Sequence, residues 1–313
     1  MKIPREQWRT ARNRGLWYAL RGGQRLGLDL TPHHFYSNSP DLRSLRRSTY
    51  WRRPRTMTGV KGAALTDQAQ QLAKWVPPPL SEEIAAQDLH GDACVENGAV
   101  GYGRIEADLL YAFLATNNPA RMIQIGSGVS TAVALKAKVR HGLATEITCV
   151  DPYPTEYLRT AANRGDIVLL PEPAQTVPLE TFTELRAGDL LFIDSTHTVK
   201  VGSEVNLLVL DVLPSLTAGV FVHFHDIYLP YDYGRDVLDG ELFFWNESVL
   251  LHAFLIGNER ASIRVSCSML HHGAPEYLCQ AFPRYSPQRM TDGMPDPREA
   301  GGDYPSALYF QIL

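Results

Sequence analysis

Three short stretches of this chain end in residues that can hold a ligand or move a proton. Asp189-Leu-Leu-Phe-Ile-Asp-Ser-Thr-His197 is an apolar run closing on Asp194 and His197, and Val220-Phe-Val-His-Phe-His-Asp226 closes on His225 and Asp226. An imidazole titrating near neutral pH can take a proton from a hydroxyl, and carboxylates beside it can orient an acceptor or ligate a cation. Alternation along a strand sends His223 and His225 to one face. Buried histidine needs a partner, so His223 is either a site residue or a satisfied core histidine. The third stretch, Met122-Ile-Gln-Ile-Gly-Ser-Gly-Val-Ser-Thr131, runs into a glycine turn, and Thr148-Cys-Val-Asp151 follows one helix and one strand later. Glycines let a ligand approach the backbone, and an acid at the end of the next strand can accept hydrogen bonds from a ribose diol. The expectation is a cleft for a nucleotide-type cofactor.

Those strand ends need a framework that aligns them. Apolar runs predict strands at 121–125, 146–150, 166–170, 189–194 and 219–225, with helices such as 104–116 and 130–140 between or before them. Alternating strand and helix implies an α/β fold, with a mostly parallel sheet covered on both faces. Its ligand crevice lies at the carboxyl ends of the strands, which brings Asp194 and His197 beside the glycine turn. Two late strands, 262–269 and 307–313, finish the sheet as a hairpin-like edge. Ahead of it, helical patterns over 5–21 and 66–75 are interrupted by Gly22-Gly23, Pro32, Pro40, Pro54 and Pro77-Pro-Pro79. Residues 1–95 therefore read as a helical and irregular cap or arm, and 96–313 as the main domain.

Composition bounds the function. With 313 residues and 44% hydrophobic residues, the chain suits a globular protein, and no apolar run approaches the roughly 20 residues that cross a bilayer. The basic N-terminus has no hydrophobic stretch behind it, so a cytoplasmic location is expected. Cys94, Cys149, Cys267 and Cys279 form no Cys-x-x-Cys pair and read as core thiols. Residues 1–55 hold thirteen Lys or Arg against three acids, a net +10, which leaves −14 for the rest of a chain whose total is −4. This basic arm, with Trp8, Trp17, Tyr18 and Trp51, packs on the acidic body or on a second subunit of a homodimer; nucleic acid is the alternative.

Ile-Gln-Ile-Gly-Ser-Gly-Val-Ser-Thr, Val-Asp-Pro, Phe-Ile-Asp-Ser-Thr-His and Gly-Val-Phe-Val-His-Phe-His-Asp, in that order, resemble a class I S-adenosylmethionine-dependent methyltransferase of the small-molecule branch. The resemblance covers about 98–230 and implies a Rossmann-like sheet of seven strands, the last at 307–313. It implies that Gly126, Ser127, Gly128 and Ser130 line the cofactor, that Asp151 holds its ribose, and that Tyr102 and Glu106 close over its amino-acid end. Asp194, Ser195 and His197 would border it from the fourth strand. Gln124 stands where many relatives carry an acid. His197 is then the general base for a sugar, polyketide or peptide-derived acceptor, with a hydroxyl favoured over an amine. Similarity to metal-dependent relatives adds Asp194, His225 and Asp226 as ligands of one divalent ion, the imidazole shifting preference from magnesium towards manganese, iron or zinc.

The loop 227–233 is aromatic enough to cover the cleft. Trp245 reads as core, Glu247 and His252 as reserve acceptor contacts, and His34 or Tyr36 as residues that fold back onto the substrate. Other functions stay open at this point: a nucleic-acid methyltransferase guided by the arm, a metal-dependent oxygenase, or a non-catalytic binding protein on the same fold. Against the first, the fourth strand lacks the Asn/Asp-Pro-Pro-Tyr/Phe tetrad that clamps a flipped base.

Overall fold

A computed structural model describes residues 5–233, 243–291, 294–295 and 301–313. Two compact units meet in sequence between Ser48 and Thr49. The first contains helix α1, Arg5–Gln24, and helix α2, Leu42–Arg47, whose N-terminus is capped by the Asp41 carboxylate on Ser44 N at 2.6 Å. Helix α1 continues through Gly22-Gly23, the expected break, and is closed by Leu26 N and Leu28 N donating to the Gly23 carbonyl. Within this unit His33, His34, Phe35 and Tyr36 are exposed.

The second unit holds everything else, including helices α3 (Leu65–Trp75), α4 (Pro78–Ala85) and α5 (Leu89–Asn97). The division by compactness thus falls at 48/49 and not at 95/96. The reason is packing: Leu72, Trp75, Ile84 and Leu89 are buried in the same core as the sheet. Trp75 meets Phe113, Tyr309 and Phe221 edge-on at 5.0, 5.4 and 6.0 Å. Helix α6, Arg104–Asn117, buries its whole middle and ends on Asn118 in the left-handed conformation at φ 43°.

Strands β1 (Arg121–Ile125), β2 (Glu146–Val150), β3 (Val168–Leu170), β4 (Leu190–Ile193), β5 (Phe221–Phe224), β6 (Ala261–Ser266) and β9 (Leu308–Ile312) form one seven-stranded sheet. A separate short pair, β7 (Met290–Thr291) with β8 (Met294–Pro295), lies outside it. The order is β3-β2-β1-β4-β5-β9-β6, with β9 alone antiparallel to its neighbours. The late strands are adjacent as expected, although β9 enters between β5 and β6 and so is not the edge. Helix α7, Val129–His141, joins β1 to β2.

Both sheet faces are covered, which is why the strands read as unbroken apolar runs. Met122, Leu190 and Phe192 face the core shared with α3, α5, α6 and α7, while Ile123, Ile125, Leu191, Ile193, Val222 and Phe224 face the other. Cys149 and Cys267 are core thiols, whereas Cys94 is half-buried and Cys279 exposed; all four are free. No described helix is long and apolar enough to cross a membrane.

Candidate active site

Register puts the chemistry in a row. Ile125 pairs with Val150 and with Ile193, and Ile193 pairs with Phe224. The next residue of each strand is Gly126, Asp151, Asp194 and His225, so four strand ends open side by side. Between β1 and β4 the strand order reverses, which is where α/β sheets leave a crevice.

The glycine turn is built for close approach. Gly126 sits at φ 78°, and a Cβ there would land on the Asp194 carbonyl oxygen. Gly128, at φ 149°, faces the Asn97 amide and starts helix α7. Ser127 donates to Asp151 Oδ2 from both its backbone N and its Oγ at 3.1 Å, while Asp151 Oδ1 accepts from Tyr153 N at 2.8 Å. Gln124 donates to Ser130 Oγ at 3.1 Å and accepts from Thr131 Oγ1 at 2.8 Å. Gln124 and Ser130 are therefore buried fasteners of the helix N-terminus. Below the row, Tyr102 is held at φ 53° with its ring 4.8 Å from that of His225 and its hydroxyl 3.5 Å from His223 Nε2. Glu106 is buried and accepts from Ser306 N and Oγ at 2.7 and 3.3 Å, and burial pushes its carboxyl up.

Four residues meet at the ends of β4 and β5. His197 Nε2 lies 3.4 Å from Asp194 Oδ1 and 3.6 Å from Asp226 Oδ2. His225 Nδ1 lies 3.2 Å and 3.5 Å from the same two oxygens. Asp226 Oδ1 accepts from Tyr228 and Ser306 hydroxyls at 3.2 and 3.1 Å. Donor atoms of Asp194, His197 and Asp226 lie within 4.8 Å of one another, a spacing that could hold a metal ion. This trio has His197 where the sequence expectation had His225, whose Nδ1 faces the same two oxygens. Ser195 lies beside Glu204, whose carboxylate accepts from Thr196 N at 3.0 Å.

Electrostatics departs from the expectation of a neutral imidazole. Burial alone would lower the His197 pKa, but hydrogen bonds to Asp194 and Glu247 overcome it and push it up to about 10. His225 goes the same way, up to about 9, because the charges of Asp226 and Asp194 outweigh its burial. Burial opposes ionisation of Asp194 as well, yet the two histidines hold it well below the usual carboxylate range. His223, by contrast, is pushed well down by burial and by the charge of His225, and its ring stacks 4.4 Å from Phe192. It is a core histidine.

Two residues read differently from the sequence. Trp245 is half-buried, not core, and lies against the His197 ring at 4.6 Å. Glu247 is buried at the start of the helix Glu247–Leu255, with Oε2 2.9 Å from His197 Nδ1. The loop 227–233 is packed, with Ile227, Tyr228, Leu229 and Tyr233 buried and the Tyr233 ring 5.8 Å from Trp245. His252 lines a separate groove of about 370 Å³ with Arg55, Leu229 and Tyr231. Among the described residues, non-glycine φ is positive at Tyr102, Asn118, His197 and Asp226. Three of these four border the cluster, and strained backbone of this kind concentrates where function requires it.

A family model described as a methyltransferase domain matches residues 123–227. An uncharacterized protein of Archaeoglobus fulgidus is 28% identical over 172 residues, which is 51% of this chain and 75% of that protein. Among solved structures, the SAH-bound methyltransferase PaMTH1 of Podospora anserina is 16% identical over 59% of this chain and 80% of its own, with a TM-score of 0.36. The plantazolicin methyltransferase BpumL in complex with SAH is 12% identical, covering 78% of this chain and 94% of its own, with a TM-score of 0.39. The glycine turn, Asp151 and the strand-end cluster all fall inside the matched segment, which is similar to a methyltransferase domain.

Proposed function

We propose that this chain methylates a hydroxyl of a small metabolite, with an amine as the close variant, using S-adenosylmethionine as donor. The observation that carries the reading is the row of strand ends: the glycine turn and Asp151 stand beside Asp194, His197, His225 and Asp226. The residues fit the cofactor. Three hydrogen bonds leave about one of the four acceptor positions of the Asp151 carboxylate free for a ribose hydroxyl. Bound there, the cofactor would supply an activated methyl sulfonium: the C–S bond would break to leave a neutral thioether as the bond to the acceptor oxygen forms, with the hydroxyl proton passing to a base or to solvent.

The protein's part is to hold the acceptor in line and to make that proton leave. Asp194, His197 and Asp226 fit a divalent ion of the manganese, iron or zinc type, which would bind the acceptor oxygen and lower its pKa. A second reading keeps His197 as general base without an ion, favoured by its bond to Glu247. That base is available only if the carboxylates around it are neutralised, since they keep its proton on to about pH 10.

Binding tests the cofactor assignment without a known acceptor. S-adenosylmethionine or its demethylated product, at ~100 times its dissociation constant, should add about 2.7 kcal/mol of stability, and Asp151→Ala should remove most of that gain. A folded protein that shows no thermal shift with either nucleoside would end the cofactor assignment. Once turnover is measurable, its survival in chelator would leave the histidine base and remove the ion.

A further inference from the structure

Glu247 is a costly residue where it stands. It is fully buried, its Oε2 is 2.9 Å from His197 Nδ1, and its Oε1 has no hydrogen-bond partner. A fully buried carboxylate with one unpartnered oxygen contributes little to the fold. Its surroundings make the contact directional. The carbonyl of His197 accepts from Asn246 N at 3.0 Å and from Glu247 N at 3.1 Å, so the helix start is fastened to the histidine backbone as well as to its ring. Trp245 lies against the ring at 4.6 Å. His197 is itself held at φ 55°. Ring plane, backbone and one nitrogen are thus all constrained, and only Nε2 points to the space between Asp194 Oδ1 and Asp226 Oδ2.

We propose that Glu247 is a positioning residue for a cation: its carboxylate accepts a hydrogen bond from His197 Nδ1–H, keeps the proton on that nitrogen, and so presents Nε2 as a lone-pair donor beside Asp194 and Asp226. An imidazole can ligate through one nitrogen only when that nitrogen is unprotonated, and a carboxylate on the other nitrogen fixes that tautomer. Glu247 touches neither acceptor nor cofactor in this role. The proposal rests on the cation reading of Asp194, His197 and Asp226. It explains why a buried carboxylate with an unpartnered oxygen is kept fifty residues away from the strand ends it serves.

The test is direct binding of Mn²⁺, followed by electron paramagnetic resonance of the free ion, in the full chain and three variants. Glu247→Gln should weaken Mn²⁺ binding by about 10- to 100-fold, Glu247→Asp should restore part of it, and Asp194→Asn should lose it. Affinity for S-adenosylmethionine should stay within about twofold in both Glu247 variants. Ring-nitrogen NMR with Zn²⁺ should show His197 protonated at Nδ1 in the parent and a mixture of tautomers in Glu247→Gln, a signature that a purely structural role would not move. If Glu247→Gln binds Mn²⁺ like the parent while Asp194→Asn does not, the role of Glu247 is wrong and the cation site stands. If the parent itself binds no Mn²⁺ or Zn²⁺, the cation reading and the role of Glu247 fall together.

Discussion

His197 shows how far one residue's behaviour depends on its neighbours. Free imidazole would suit proton removal at neutral pH, yet two carboxylates bonded to its ring, Asp194 and Glu247, make the charged form the stable one. Its folded pKa of about 10 lies above the ordinary 6.5. The stabilisation it brings is therefore complete below about pH 6.5 and is lost as pH rises through about 10. His225, raised to about 9, adds in the same direction. Asp194 works oppositely: its depressed pKa contributes stability above its ordinary 3.8 that fades in acid. In chelator, the melting temperature should decline from neutrality towards pH 10, and the slope should shrink in His197→Gln. A divalent ion competes with the proton for Nε2, so added Mn²⁺ should raise the melting temperature most at the alkaline end. A melting temperature flat from pH 7 to 10 would contradict the charge arrangement.

At the scale of elements, the turn after β1 couples the two halves of the site. Gly126 has φ 78°, and a Cβ would meet the Asp194 carbonyl, so β4 would have to shift for any side chain to fit. Gly126→Ala should cost about 1–3 kcal/mol from backbone strain alone. Moving the end of β4 also moves Asp194. Cofactor and Mn²⁺ affinities should therefore fall together in this variant, as titration calorimetry of each ligand would register, whereas a loss confined to the cofactor would mean that the strand ends are not coupled. The sequence made this part of the site legible because every component sits at the end of an apolar run, a local signal. Glu247 and Trp245 carried no such signal. They reach His197 across fifty residues of chain, and a helix start with an aromatic before it looks like ordinary packing until the fold closes. Gln124 likewise carried no sequence signal for its partner, the Ser130 hydroxyl in the first turn of helix α7.

For the whole molecule, the sequence reading began the main domain at residue 96, while the compact unit begins at Thr49. Breaker-rich composition made residues 1–95 look alike, because Pro and Gly mark the ends of elements without saying what the elements bury. Burial separates them. Leu72, Trp75, Ile84 and Leu89 each expose about 1% of their surface and share the core of α6 and α7. In the unit that ends at Ser48, by contrast, Leu26, Phe35 and Tyr36 are exposed by 79, 87 and 75%. Each fully buried large apolar side chain is worth about 1.5–3 kcal/mol, so stripping four from the body would cost about 6–12 kcal/mol, comparable with a typical domain's entire stability of about 5–15 kcal/mol. A chain starting at Thr49 should then unfold cooperatively and still bind S-adenosylmethionine. One starting at residue 96 should lose the cooperative transition, because Phe113, Phe221 and Tyr309 would be left without Trp75. Thermal unfolding of the two truncations followed by circular dichroism compares them directly. If both melted like the full chain, α3 to α5 would be an appendage after all; if neither folded, residues 1–48 would be part of the core.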